Sequence, residues 1–287
     1  MLPHRMEKIL TTNHKILLLG GSGNLGGAFK DAFENSCITY YSPDRKDLGD
    51  HLLGSVTKLL ERGLFHVVIN CISLNGVNQC NVSPLEAVIV NSLLPKLLCH
   101  YSDICGYKLF HFSTECVFDD SEQIISSSVF PKAPSTTYGA TKLAGEFLPN
   151  KNLQLIRLPL LLSRKKNSQI VWKMVDMLEQ NKPAKASTDV ISTPIFVEDL
   201  VQRVLEMINS LLSFESVIHF SSDSRMSMYE TVLLFARQNG IKPDFLSKGL
   251  DSDFESVEQK PLKLGLKATN EFCVLPALGE DSCCSQS

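Results

Sequence analysis

The apolar run Lys15-Ile16-Leu17-Leu18-Leu19 leads without interruption into Gly20-Gly21-Ser22-Gly23-Asn24-Leu25-Gly26-Gly27, and this junction constrains the fold more than any other stretch. A strand that enters a glycine-rich turn and leaves it as a helix brings backbone N–H groups and the positive end of a helix to one point. A pyrophosphate fits there. Gly20, Gly23 and Gly26 follow the spacing G-x-x-G-x-x-G rather than G-x-G-x-x-G, and such a turn also serves as a plain strand–helix connection. On the dinucleotide reading, Gly20, Ser22, Gly23, Asn24, Leu25 and Gly26 line the cofactor phosphates.

Apolar runs and amphipathic stretches alternate beyond the turn. Strands are predicted at Lys15–Leu19, Ile38–Tyr41, His66–Asn70, Lys108–Phe112 and Gln154–Leu158. Helices are predicted over Asn24–Asn35, Leu52–Arg62, Pro84–Tyr101, Tyr138–Leu148, Ser168–Gln180 and Met228–Asn239. This alternation implies an α/β fold, a Rossmann-type doubly wound parallel sheet with helices on both faces. From about Pro159 it loosens, which suits a smaller C-terminal substrate lobe. The expected organisation is a nucleotide-binding domain over 14–158, a substrate lobe over 159–275 that returns segments to the sheet, and a disordered polar tail over 276–287. Ser83-Pro84-Leu85-Glu86 reads as a helix start with Ser83 as N-cap, and Ser227-Met228-Tyr229-Glu230 repeats the device. That role for Ser83 is preferred over its place in the glycosylation sequon Asn81-Val82-Ser83.

The chemistry concentrates in Ser113-Thr114-Glu115-Cys116-Val117-Phe118 and Tyr138-Gly139-Ala140-Thr141-Lys142. Residues four apart share a helix face, so the Tyr138 phenol and the Lys142 ammonium can meet at one substrate atom. A free phenol, with a pKa of about 10, is a weak acid–base group at neutral pH, and a nearby ammonium favours its phenolate. Thr114, at the carboxyl end of a strand, is placed to hold a carbonyl oxygen while Tyr138 delivers the proton, and Ser113 is free to share that contact. No side chain donates a hydride, so the set implies a bound nicotinamide.

Composition narrows the remaining classes. A net charge of −3 over 287 residues carries no global basic bias toward nucleic acid or anionic lipid, and the apolar runs are too short to span a bilayer. Met1–His14 lacks the apolar core of a secretory signal, and nine cysteines without a C-x-x-C read as reduced thiols of a cytoplasmic protein. Seven scattered histidines, none in an H-x-x-x-H pattern, give no metal site.

In this order, G-x-x-G-x-x-G, S-T-x-x-V-F and Y-x-x-x-K resemble the extended short-chain dehydrogenase/reductase superfamily. The finer segments resemble its dTDP-4-dehydrorhamnose reductase (RmlD-like) branch. That family's S-T-D-Y-V-F-D-G appears as Ser113 to Asp120, its Y-G-x-x-K-L-x-G-E as Tyr138 to Glu146, its D-Q-x-G-x-P-T-x-x-x-D-L as Asp189 to Leu200, and its R-P-x-x-x-x-L as Lys260 to Leu266. The resemblance covers roughly Lys15 to Asn270. It implies an NAD(P)H-dependent reduction of a nucleotide-linked 4-keto-6-deoxy sugar, with Thr114, Tyr138 and Lys142 catalytic. It also implies that Asn70, Cys71 and Ile72 run past the nicotinamide ribose, that Asp47 lies near the adenine, and that Asn91 supports Lys142 through water, unless Asn91 is a surface residue. After the second strand, Asp44 suits the ribose hydroxyls of NAD and Arg45 the phosphate of NADP; Arg45 tips the reading slightly toward NADP(H) over NAD(H).

Several positions depart from the family pattern. The D-Y of the S-T segment is Glu115-Cys116, the acidic stretch before the tyrosine helix is Ser126-Ser127-Ser128-Val129-Phe130, Ser192 replaces a glycine and Ile195 a threonine. Arg157 has two open roles, a substrate phosphate or an ion pair, and core packing is preferred over base stacking for Trp172. The chemical residues are intact while the substrate-side ones drift. The alternative is therefore a non-catalytic NADP-binding subunit resembling the regulatory beta subunit of methionine adenosyltransferase, working on a partner enzyme. A homodimer is left open. An epimerase or dehydratase, which would need a carboxylate pair beside Tyr138, ranks third because Glu115 stands alone.

Overall fold

A computed structural model describes residues 15–119, 124–146, 150–167, 169–210, 214–255 and 261–278. Met1–His14, most of the polar tail, Asp120, Leu148, Ser168 and Lys260 lie outside the described residues.

The elements that carry the site are β1 (Ile16–Leu19), α1 (Asn24–Asn35), β2 (Tyr40–Tyr41), α2 (Leu52–Arg62), β3 (Val67–Asn70), α3 (84–105), β4 (Lys108–Thr114), α4 (Thr137–Ala144), β5 (Leu153–Leu158), α5 (Ile170–Glu179), α6 (Val197–Asn209), β6 (Val217–His219) and α7 (Met228–Gln238). The six strands form one parallel sheet in the order β6-β5-β4-β3-β1-β2. Successive side chains of a strand face opposite ways, so an uninterrupted apolar run is buried on both faces. Accordingly Ile16 and Leu18 join Val67, Ile69 and the α1 and α6 side chains in one core. Leu17 and Leu19 join Val68 and the α2 and α3 side chains in the other. A third core, built on Trp172, Val175, Phe196 and Phe235, gathers apart from the two sheet faces.

Three elements differ from the pattern-based reading. β2 loses Ile38 and Thr39, because Cys37 takes a left-handed φ of 53° and the Ile38 N–H closes α1 on the Phe33 carbonyl at 2.9 Å. α3 runs on to Cys105 and is interrupted by a π-helical turn at Ile89–Leu93. Ser83 does not cap it: the Ser83 N–H is bonded to the Gln79 carbonyl of a preceding short helix, and no side-chain cap bond forms. Ser227 does cap α7, with Glu230 returning a 2.8 Å bond to the Ser227 N–H. Leu278, inside the segment expected to be disordered, is packed into the core around Trp172 and Phe235.

Candidate active site

The turn after β1 needs its glycines for identifiable reasons. Gly20 has a φ of 84°, and a Cβ there would lie 2.8 Å from the Cys71 and Ile72 backbone. A Cβ on Gly26 would overlap the Gly20 carbonyl oxygen, and one on Gly21 would overlap the Ser42 hydroxyl. Gly23 occupies the N-cap of α1, which no side chain caps. The backbone is thus drawn into a cradle with a helix N-terminus at its base, the donor set that suits a dinucleotide pyrophosphate. Ser22 is exposed, Leu25 packs on the core beneath, and the Asn24 side chain accepts a 3.3 Å bond from Asn167. Ser42, directly after β2, closes the cradle on that side, a contact that its place at a strand end announces. Asp47 accepts the Asp44 N–H at 2.8 Å as a local cap, while the Arg45 side chain is 94% exposed with Glu86 at 3.9 Å.

Thr136 caps α4 by accepting the Gly139 N–H at 3.0 Å. Gly139 has no room for a Cβ against the Cys116 carbonyl, so α4 lies directly on the turn after β4. This close approach brings the Tyr138 hydroxyl to the side chains of Thr114 and Ser73, both hydrogen-bond partners of the phenol. Thr114 Oγ1 also accepts the Cys116 N–H at 3.2 Å. Lys142 is buried and donates to the Phe112 carbonyl at 2.6 Å.

The electrostatics differ from the expected lowering of the Tyr138 pKa by Lys142. Burial pushes the phenol up, and the Lys142 ammonium is turned onto the Phe112 carbonyl instead. Lys142 itself is pushed down to about 8 by burial, with the Glu146 carboxylate pulling the other way. Burial raises the Cys71 thiol and holds His111 well below its usual range.

Asn91 is occupied. Its amide accepts from the Leu74 N–H (3.0 Å) and the Ser73 hydroxyl (3.1 Å), and donates to the Leu74 carbonyl (3.0 Å) and Thr141 (3.3 Å). The π-helical turn carries it, and it ties the segment after β3 to α4. The Asn70 side chain is bonded to His111 and accepts the Ile72 N–H. Arg157 is an ion-pair residue: it meets Glu146 at 2.8 Å with both side chains buried, and its guanidinium lies 5.1 Å from the Phe118 ring centre. Trp172 donates to the Ser163 carbonyl and packs edge-on against Phe235, a core role. Ser113 is buried with no hydrogen-bond partner at its hydroxyl.

The sequence profile of the RmlD substrate binding domain family matches residues 14–264. The chain belongs to that family. Membership places it among the NAD(P)-dependent oxidoreductases of the extended short-chain dehydrogenase/reductase superfamily, in the branch of sugar-nucleotide reductases similar to dTDP-4-dehydrorhamnose reductase. The spore coat polysaccharide biosynthesis protein SpsK of Bacillus subtilis is 24% identical over 236 residues, 81% of this chain and 82% of that protein. A dTDP-4-dehydrorhamnose reductase of Mycolicibacterium smegmatis is 24% identical over 212 residues, covering 72% and 64% of the two chains. Among solved structures, a dTDP-4-dehydrorhamnose reductase of Clostridium acetobutylicum superposes with a TM-score of 0.79 at 25% identity, covering 88% of this chain and 90% of that one. The Bacillus anthracis enzyme, in complex with NADP, shares the fold with a TM-score of 0.84 at 21% identity, covering 93% and 96%. Among the described residues, no helix is long and apolar enough to cross a membrane, and no group of His, Cys, Asp and Glu side chains could hold a metal ion.

Proposed function

We propose that this protein reduces the ketone of a 4-keto-6-deoxy sugar carried on a nucleoside diphosphate, using NADP(H) in preference to NAD(H). The observation that carries the reading is the convergence of Thr114 and Tyr138 at the carboxyl edge of the sheet, with Lys142 buried one turn along α4. The glycine cradle fits a dinucleotide, and the nicotinamide supplies the hydride when bound. Gly20, Ser22, Gly23, Asn24, Leu25 and Gly26 hold the phosphates, and Cys71 and Ile72 present backbone to the ribose. The Arg45 guanidinium, 94% exposed and in a loose 3.9 Å pairing with Glu86, suits a ribose phosphate, which supports the NADP(H) preference.

Thr114 orients the carbonyl oxygen and Tyr138 protonates it as negative charge develops. Burial favours the neutral phenol, and a neutral phenol is the form an acid needs for reduction. Lys142, at about 8, remains mostly cationic at neutral pH and holds the far side of the site. In this reading 14–158 is the nucleotide half and 159–275 the substrate lobe.

The test is oxidation of NADPH and NADH by purified protein, followed at the nicotinamide absorbance, against dTDP- and UDP-linked 4-keto-6-deoxy sugars. Turnover that Tyr138→Phe reduces by at least about a hundredfold, with cofactor binding kept, supports the reductase. Cofactor binding without turnover on any sugar assigns the regulatory-subunit reading instead.

A further inference from the structure

Glu115 follows Thr114 directly, in the single 3-10 turn Glu115–Val117 that ends β4, and is only 6% exposed. Its Oε1 accepts a 2.5 Å bond from the Ser192 hydroxyl, which itself accepts the Leu160 N–H at 3.2 Å, just where the chain leaves the sheet. The Arg225 guanidinium donates through Nε to the Leu264 carbonyl, and its charge counts weakly against the burial that raises the Glu115 carboxyl. Ser192 is fixed in that lobe by pairing with Met226. Its neighbour Thr193 accepts the Leu266 N–H. Glu115 Oε2 is buried with no hydrogen-bond partner.

The turn is a node. On one side it supports α4 through the Cys116 carbonyl that Gly139 rests on, and on another its Cys116 N–H holds the Thr114 hydroxyl. On the third it grips the second lobe through Glu115. A side chain this costly to bury is unnecessary for turn formation, which the Phe118 N–H to Glu115 carbonyl bond already closes.

We propose that Glu115 is a positioning residue whose clasp on Ser192 couples the second lobe to the Thr114 hydroxyl and so to the Tyr138 phenol. The proposal rests on the reductase reading for its kinetic consequence, but its mechanical part stands apart from turnover. Burial pushes the carboxyl up to about 7, so it is largely protonated in slightly acid solution and remains a partner for Ser192 in either form.

The test compares Glu115→Ala, Glu115→Gln and Ser192→Ala in the full chain. Amide hydrogen exchange read by mass spectrometry is expected to rise together in peptides over 113–118 and 190–194 for Glu115→Ala and Ser192→Ala. Glu115→Gln, which keeps an acceptor oxygen, is expected to restore the protection. In turnover, Glu115→Ala should lower kcat by about tenfold or more, since small misplacements of a reacting group carry large rate costs, with KM and the NADPH dissociation constant within about twofold. Exchange confined to 113–118, with 190–194 unmoved, overturns the clasp whether or not any sugar is reduced. A loss expressed in KM alone overturns positioning in favour of a substrate contact. Coupled exchange in a protein that reduces no sugar keeps the clasp while the reductase reading fails.

Discussion

Replacing Glu146 by Gln removes the one carboxylate among the described residues that pairs with Arg157, a buried guanidinium on β5. Three contacts are lost or weakened: Nε to Oε1 at 3.2 Å, Nε to Oε2 at 3.2 Å, and Nη2 to Oε2 at 2.8 Å. Arg157 keeps the Phe118 ring and a 3.3 Å contact with His219, and burial together with the Arg157 charge already pushes His219 down to about 3. Neither neighbour neutralises a stranded cation. Breaking a buried pair from one side costs roughly 3–5 kcal/mol. At about 2–4 °C per kcal/mol for a chain approaching this size, the midpoint should fall by roughly 6–20 °C. The same change removes the largest influence holding Lys142 up, so its pKa should drop below about 8 and the alkaline limb of turnover should move toward neutral pH. The assay is denaturant unfolding of Glu146→Gln, Arg157→Met and the Glu146→Leu/Arg157→Met double variant. The double variant should recover most of the loss, because no charge remains unpaired. A cost below about 1 kcal/mol, as for an exposed pair, would refute the reasoning. So would a double variant whose loss equals the sum of the singles.

Gly26→Ala drives a Cβ into the Gly20 carbonyl, so NADPH affinity measured by nicotinamide fluorescence should fall by at least about tenfold, along with a lower unfolding midpoint. Ser227→Ala removes the α7 cap and should cost about 1 kcal/mol in urea titration with cofactor affinity unchanged. Between pH 4.5 and about 7 the folded chain keeps a proton on Glu115 that the unfolded chain has released, so this group's contribution to stability is lost as pH rises through that window. His219, lowered to about 3, works oppositely between about pH 3 and 6.5, so the comparison is with Glu115→Gln, which keeps His219 but cannot ionise at 115 and should therefore lose less stability than wild type as pH rises from 4.5 to about 7.

The parts that local chemistry settles were legible in the sequence. An unbroken apolar β1 reads as a strand buried on both faces, α1 begins where the glycines end, and the four-residue spacing of Tyr138 and Lys142 puts them on one helix face. What misled was competition for the same groups. Ser83 looked like a cap until its N–H was taken by the helix before it, and Ile38 looked like strand until its N–H closed α1. The π-helical turn that carries Asn91 lies against α4 at Gly145, where a Cβ would overlap the Asn91 carbonyl, a contact that no spacing along the chain announces.

By itself, the sequence determined the parallel sheet, the glycine cradle and the shared helix face of Tyr138 and Lys142, because periodicity, turn chemistry and residue type are properties of neighbouring residues. Only the tertiary structure decided the electrostatics and the partnerships. Whether Tyr138 is raised or lowered, whether Arg157 meets a carboxylate or a ligand, and whether Glu115 faces water or Ser192 all depend on what burial brings from distant parts of the chain. Desolvation and pairing act through space, and no spacing along the chain encodes them.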